Sequence, residues 1–210
     1  MLVFNKMTLL LATTNKNKVR EIRGILAGLD VTLLTLDDVP AIEAPEETGR
    51  TFEDNARLKA LHYADRSGCL VVAEDSGLEI DALNRRPGVE SARFGGEGTT
   101  YPEKFRLLYA EGAAGSTARF VCALALAQGD RVIFEASGVV EGRIAASPAG
   151  EGGFGYDPIF FYPPFNQTLA QAVSRKSEVS HRAAAFRQLR GFIEGGGIGE
   201  RGDGEGGGHG

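Results

Sequence analysis

The chain has 210 residues, enough for one domain or two intimate lobes around a sizeable core, and its formal net charge of −5 argues against generic nucleic-acid binding, which needs a basic surface to displace phosphate counterions. Hydrophobic residues make up 42% and charged ones 24%, with no apolar run of the roughly 18 residues that a membrane span requires. Cys69 and Cys122 are the only cysteines and lie far apart, so they read as small apolar residues rather than a disulfide framework or a zinc site.

In chain order, the N-terminal MTLLLATT has too short an apolar core and no small-residue cleavage pattern for a signal peptide, so a cytoplasmic location is expected. Met7 to Ala12 reads as a buried strand, and Val19, Ile22, Leu26 and Leu29 then recur at helical spacing. Val31 to Leu36 reads as a second strand, followed by the carboxylate-rich loop DDVPAIEAPEETGR. Thr51 with Asp54 has the form of a capping box, opening a helix that carries Phe52, Ala56, Lys59, Ala60 and Tyr63 to about Ser67. CLVVAE is a buried strand expected to end at Asp75, and LEIDAL a separate strand-like stretch, ahead of a turn at Pro87 and Gly88 and a helix from about Pro102 to Ala110. ARFVCALALA and RVIFEASGVV flank Gln128, Gly129 and Asp130 as an antiparallel hairpin. A last helix starts at Ser180, a good N-cap, and turns Ala184, Phe186, Leu189 and Ile193 toward the core. Of residues 195 to 210 ten are glycine, so residues 1–194 are expected to form a single domain of two lobes around a cleft, with 195–210 a disordered tail that takes His209 out of consideration.

Helices alternating with strands, then a hairpin, define an α/β protein with a mixed sheet. Ligands in such sheets favour the carboxyl ends of the strands, which singles out Thr13 to Lys18 and Glu74 to Gly77. TTNKNK (Thr13, Thr14, Asn15, Lys16, Asn17, Lys18) stands where a strand meets a helix, so its amides and Lys18 could hold a phosphate, although solvated lysines at a helix entry would look the same. In AEDSG, adjacent strand residues point to opposite faces, so Glu74 and Asp75 should not chelate one ion together. Asp75 is the better magnesium ligand, with a second carboxylate from Glu43, Glu46 or Glu47, while a plain Asp-Ser-Gly turn is the bland alternative. KSEVSHR puts Lys176, His181 and Arg182 around a helix start, a poor place for cations unless they serve a ligand. AGEGGFGYDPIF has G-x-G-x-x-G spacing but lacks the strand, helix and distant acidic residue of a dinucleotide turn, and Pro158 with the following aromatics favours a turn feeding a short strand.

Taken in order, TTNKNKVREI, EETGRTFEDNARLKA, AEDSGLEIDAL, RPGVESARF, PAGEGGFGYDPIF and KSEVSHRAA resemble the blocks of the non-canonical purine nucleoside triphosphate pyrophosphatases, over roughly residues 7 to 194. The resemblance implies an elongated mixed β-sheet flanked by helices, a homodimer, and Mg²⁺-dependent hydrolysis of ITP, dITP, XTP or dXTP to the monophosphate and pyrophosphate. It implies Asp75 as the catalytic residue, Asp75 and Glu47 as metal ligands, and Thr13 to Lys18, Lys59, Ser76, Phe154, Gly155, Tyr156, Asp157, Lys176, His181 and Arg182 as substrate contacts. Glu74 stands where many bacterial relatives have aspartate. On this reading the glycines let the backbone approach a base stacked on Phe154. Asp157 then faces the N1–H of hypoxanthine or xanthine while Arg182 or His181 donates to O6, and Lys18, Lys59 and Lys176 neutralise the departing pyrophosphate. A nucleotide-binding module without hydrolysis is the alternative.

Overall fold

The computed structural model describes residues 6–198. Eight strands form one mixed sheet: β1 (Met7–Leu11), β2 (Val31–Thr35), β3 (Leu70–Ile80), β4 (Arg86–Pro87), β5 (Thr117–Gln128), β6 (Arg131–Ile144), β7 (Phe160–Tyr162) and β8 (Gln167–Thr168). The order is β2-β1-β3-β5-β6-β7-β8, with β4 also pairing to β3. β1 runs parallel to β2 and β3, and the remaining pairs are antiparallel. The helices are α1 (Lys16–Ile25), α2 (Phe52–Ser67), α3 (Tyr101–Ala110), the short α4 (Lys176–Val179) and α5 (His181–Glu194).

Strand alternation assigns the helices to faces. Leu9, Leu11, Val72, Cys122 and Leu124 meet Ile22 and Leu26 of α1 and Phe186 and Leu189 of α5. Leu10, Val71, Ala73, Ala123 and Ala125 point the other way, to Phe52, Ala56, Ala60 and Tyr63 of α2. A third cluster, in which Leu78, Ile80, Phe120 and Phe160 pack with Phe105 and Leu108 of α3, fills the far end of the sheet. The expected caps form: Thr51 Oγ1 accepts from Asp54 N–H at 3.1 Å and Ser180 Oγ from Ala183 N–H at 3.4 Å.

Three expectations need correction. Most of CLVVAE and the start of LEIDAL are one strand, Leu70–Ile80, because β5 pairs with β3 without a break from Leu70↔Gln128 to Ile80↔Ala118, and this non-local ladder carries Ser76 and Gly77 through what looks locally like a turn, while Asp81–Leu83 form a short 3-10 turn instead of strand. Asp75 is therefore in mid-strand, not at a strand end. Ala184 is only half-buried, and Ala183 and Ala185 take the core positions in α5. The tail does not begin at residue 195: Gly197 N–H donates to Phe192 O at 2.9 Å and Ile198 packs on the core, while residues 199–210, His209 among them, lie outside the described residues.

The fit of α5 on β6 depends on one missing side chain. A Cβ at Gly138 would lie 2.7 Å from Ala185 N and would also strike the carbonyl of His181. Gly138→Ala is expected to push the first turn of α5 outward and cost about 1–3 kcal/mol of stability in urea titration, the usual range for overpacking.

Candidate active site

β1 ends at Leu11, opposite Val72, and Ala12 N–H makes the last backbone contact, to Val72 O. Beyond that point β3 keeps β5 on one side and loses its parallel neighbour on the other. A cavity opens at this gap, lined by Thr13, Thr14, Asn15, Lys18, Ser76, Gly77, Phe154, Gly155, Tyr156, Asp157, Lys176, His181 and Arg182, all expected, and by Ser91, Ala92, Tyr101 and Phe120, which were not. Its volume is about 260 Å³. Lys16 and Asn17 are not part of it. Lys16 is exposed in a neighbouring groove with Arg23 and Asp37, and Asn17 accepts a hydrogen bond from Arg20 at 3.1 Å, because both project away from the sheet at the start of α1.

The phosphate loop differs from expectation in one respect. Asn15 caps α1 with its own side chain, Oδ1 accepting from Asn17 N–H at 3.0 Å and Lys18 N–H at 3.3 Å, so those amides are already satisfied. What the loop offers a ligand is the Thr13 and Thr14 side chains and the Lys18 ammonium.

Beneath the cavity lies a connected set of charges. Glu74 is 3% exposed and receives Arg182 Nε at 2.9 Å, Lys18 Nζ at 3.0 Å and the Cys122 thiol at 2.8 Å. Arg182, 1% exposed, also reaches Glu21 at 2.6 Å and donates to Ser76 Oγ at 3.1 Å. Glu21 in turn holds Lys176 at 3.2 Å, and Lys176 holds Asp157 at 2.7 Å. Burial alone would raise the pKa of Glu74, but Arg182 and then Lys18 outweigh it and hold the carboxyl well below the usual range. Asp157 goes the other way: burial raises its pKa more than Lys176 lowers it.

Three expected roles change in this setting. Lys176 is at the base end, its Nζ 4.3 Å from the centre of the Phe154 ring, so it covers one face of that ring rather than meeting departing pyrophosphate. Arg182 is committed to Glu74, Glu21 and Ser76. His181 is not a cation: burial first, then the nearby Arg182 charge, depress its pKa well below 6.5. Its ring stacks on Phe120 at 4.9 Å, and its Nδ1 is the one buried side-chain nitrogen or oxygen among the described residues with no hydrogen-bond partner.

On the opposite face of β3 the second half of the site assembles on α2. Lys59 Nζ lies 3.0 Å from Glu47 and 3.2 Å from Asp75, Asn55 donates to Asp75 at 3.1 Å, and Arg93 pairs with Glu47 at 3.0 Å. Burial raises the Asp75 pKa, with Lys59 and Asn55 opposing. Of the loop acids it is Glu47 that turns toward Asp75, while Glu43 offers only its carbonyl, to His62. Asp75 does not line the cavity itself, though its neighbours Ser76 and Gly77 do. Glu74 stays on the α1 and α5 side, as alternation requires, away from this pair.

The glycine-rich loop is used differently from the expectation. A Cβ at Gly153 would strike the Asp157 carboxylate, whose Oδ2 accepts from Phe154 N–H at 2.8 Å. Gly150 packs against the backbone of Ala170 and Gln171, so these two glycines let the loop fold on the protein and fix Asp157. Gly155, with φ +66°, lines the cavity.

Glu21, Asn55, Arg93 and Cys122 escaped the sequence reading. Glu21 follows Lys18 by three residues and Asn55 precedes Lys59 by four, spacings that share a helix face and were the available signal. Arg93 and Cys122 carried none, since Arg93 meets Glu47 across 46 residues and Cys122 meets Glu74 across 48.

Fold and site together define an α/β protein with a charged cleft that has an aromatic and carboxylate end and a lysine end. The chain belongs to the Ham1 family, whose pattern it matches over residues 9–192. It is 45% identical over 190 residues to the dITP/XTP pyrophosphatase of Exiguobacterium sp., covering 89% of this chain and 97% of that protein, and 47% identical over 186 residues to that of Gloeobacter violaceus, covering 86% and 91%. Among solved structures, the HAM1 protein of Coxiella burnetii superposes with a TM-score of 0.81 at 36% identity, covering 90% of this chain and 99% of its own.

His181 and Glu74 are among the depressed groups, and each contributes a loss of stability on the acid side. His181 is held below 6.5, so the unfolded chain binds its proton first and stability erodes as pH falls below about that value; Glu74, held below 4.5, adds a second loss at lower pH. Each stage should approach about 1.4 kcal/mol per pH unit in denaturant titrations, and His181→Gln should remove the first alone. Glu74→Gln, which leaves Arg182 and Lys18 facing a neutral amide, is expected to cost about 3–5 kcal/mol at neutral pH.

Proposed function

We propose that this protein is a nucleoside triphosphate pyrophosphatase that hydrolyses ITP, dITP, XTP and dXTP between the α and β phosphates, releasing the monophosphate and pyrophosphate and clearing these nucleotides from the pool. The observation that carries the reading is the convergence of Thr13, Thr14, Asn15, Lys18, Ser76, Phe154 to Asp157, Lys176, His181 and Arg182 on one cavity, with Glu47, Lys59 and Asp75 immediately across β3. The relatives' names, dITP/XTP pyrophosphatase, support dITP and XTP among these substrates. We further infer a homodimer, as the family resemblance implies, and a cytoplasmic location, from the lack of a signal-peptide pattern in MTLLLATT. Among the described residues no helix is long and apolar enough to cross a membrane.

At the base end, a hypoxanthine or xanthine would donate N1–H to Asp157, and its O6 would give the orphaned His181 Nδ1 the partner it lacks. An unpartnered buried group of that kind costs about 1–3 kcal/mol, which the keto base recovers. Adenine presents the reverse pattern, an acceptor at N1 and a donor at position 6, and offers Asp157 no proton at N1 beyond those it already accepts from Lys176 and Phe154 N–H.

The site's own charges cancel: Glu21, Glu74 and Asp157 stand against Lys18, Lys176 and Arg182, and Glu47 and Asp75 against Lys59 and Arg93. A triphosphate therefore needs added positive charge, which supports Mg²⁺ as the cofactor. Glu47 and Asp75 suit it, being hard oxygen donors that meet at one cationic position, and magnesium commonly takes one or two carboxylates with substrate phosphates. When bound it would supply charge neutralisation and orientation of phosphate oxygens. Asp75, oriented by Asn55 and Lys59, is placed to take the proton from the water that attacks the α phosphorus. Lys59 and Lys18 stabilise the leaving pyrophosphate, each such contact contributing about 4 kcal/mol at 4 Å and an effective dielectric of 20.

Supplied with a panel of nucleoside triphosphates and Mg²⁺, the protein should release pyrophosphate from dITP and XTP and little from ATP, and chelation with EDTA should abolish turnover. Asp75→Asn should lower kcat by about 10²–10⁴-fold, the scale of losing a general base, while nucleotide still binds. Orthophosphate as the first inorganic product, or binding without any product, would overturn the assignment.

A further inference from the structure

Lys16, Arg20 and Arg23 follow one another at i, i+4 and i+7 along α1 and so share one face of that helix. All three are exposed, and among the described residues none lies within ion-pair distance of a carboxylate. Arg20 donates to Asn17 at 3.1 Å. For the helix itself the placement is poor. Lys16 stands in a first turn that holds no acidic residue, where the dipole disfavours a cation, and like charges four positions apart repel. The three line a groove of about 560 Å³ together with Thr13 and Thr14, which also line the nucleotide cavity. Asp37 and Asp38 line the same groove, and Asp38 is turned to Thr35, accepting from its N–H and its hydroxyl at 2.8 Å. Three cations therefore meet two carboxylates there. At 1.5 Å per residue the stripe is about 10 Å long, close to the Debye length of about 10 Å at 0.1 M salt.

Inside the cleft the cations are matched by carboxylates, and the chain as a whole carries −5, so neither draws in a polyanion from solution. The α1 stripe, by contrast, presents its positive charge unpaired at the Thr13–Thr14 edge of the cavity. Resting on the nucleoside triphosphate reading of the site, we propose that Lys16, Arg20 and Arg23 form a steering surface that draws the polyphosphate tail toward Thr13 and Thr14, without being contacts of the bound nucleotide. A triphosphate with one Mg²⁺ bound is still an anion and feels the attraction. Such an attraction depends on the sign of the charge rather than on donor geometry, and salt screens it. It raises the frequency of productive encounters and leaves the chemical step unchanged. The unfavourable placement of three cations on α1 is then the cost of a positive entrance to a neutral site.

The test is kcat and kcat/KM for dITP, by pyrophosphate release at fixed Mg²⁺, from about 20 to about 500 mM KCl, a range over which the Debye length shortens several-fold. The wild type is compared with the double variant Lys16→Gln, Arg23→Gln and with Lys16→Arg, Arg23→Lys, which keeps the charges and changes the donors. At the lowest salt the neutral variant should lose about 3- to 10-fold in kcat/KM with kcat within about twofold of the wild type, and at the highest salt the loss should shrink to less than about twofold. The charge-keeping variant should follow the wild type throughout. A loss of the same size at every salt concentration, a loss in the charge-keeping variant, a matching fall in kcat, or no loss at low salt would each overturn the proposal. A wild type that binds dITP and releases no pyrophosphate would count against the pyrophosphatase reading alone. The salt dependence of the dITP association rate in the same three proteins would then decide the steering role.

Discussion

The site depends on the buried pairing of Glu74 with Arg182, which ties the central strand to the first turn of α5 across 108 residues of sequence. Two charges this deep are costly unless every lone pair and proton is met. Here the carboxylate gathers a guanidinium, an ammonium and a thiol, and the guanidinium gathers two carboxylates and a hydroxyl. Cys122 is thus more than a small apolar filler. Its thiol, whose own pKa is pushed well up by burial and by the Glu74 charge, stays protonated and serves as a donor. The pairing also explains why cations occupy a helix N-terminus, where the dipole opposes them: the carboxylates beneath supply a stronger local field.

β3 divides the chemistry by simple alternation. Glu74 and Ser76 face α1 and α5 and organise the ligand-lining charges, while Asp75 faces α2 and meets Asn55, Lys59 and, through Lys59, Glu47. One strand therefore carries two buried carboxylates a residue apart, turned to opposite faces and to different cations. The separation shows in their opposite pKa directions: Glu74, matched by full cations, is held well below the usual carboxylate range, and Asp75, with one shared lysine and an amide, is raised by burial.

Much of this was legible in the residues because it is local. The apolar runs, the Gly129–Asp130 turn, the Thr51 and Ser180 caps and the alternation at Glu74–Asp75 are decided by neighbours within a few positions. What was not legible was decided at long range. Ser76 and Gly77 have turn chemistry, but β5 lies alongside and the continuous ladder wins. The TTNKNK amides looked free for phosphate, but Asn15 turns back on them. Lys176 was set against the departing pyrophosphate on the family resemblance, whereas Asp157 and Glu21, distant in sequence, hold it against Phe154. Motif blocks told which residues meet; they did not tell which of them are already paired.

That prior pairing bears on how the site works. A cleft built for a polyanion would repel itself if its lysines and arginines stood unopposed, and burial would depress their pKa values. Matching each cation with a carboxylate keeps the empty cleft folded and the cations charged. The consequence is that binding must be an exchange, in which phosphate oxygens compete with Glu74 for Lys18 and a base competes with Lys176 for the Phe154 face. Such exchanges return little net free energy unless the ligand satisfies groups the protein leaves open, and the conspicuous open group is His181 Nδ1. Under the proposed binding mode, selectivity for a keto base follows from the protein's own deficit: a ligand without an oxygen at that point breaks existing pairs and mends nothing.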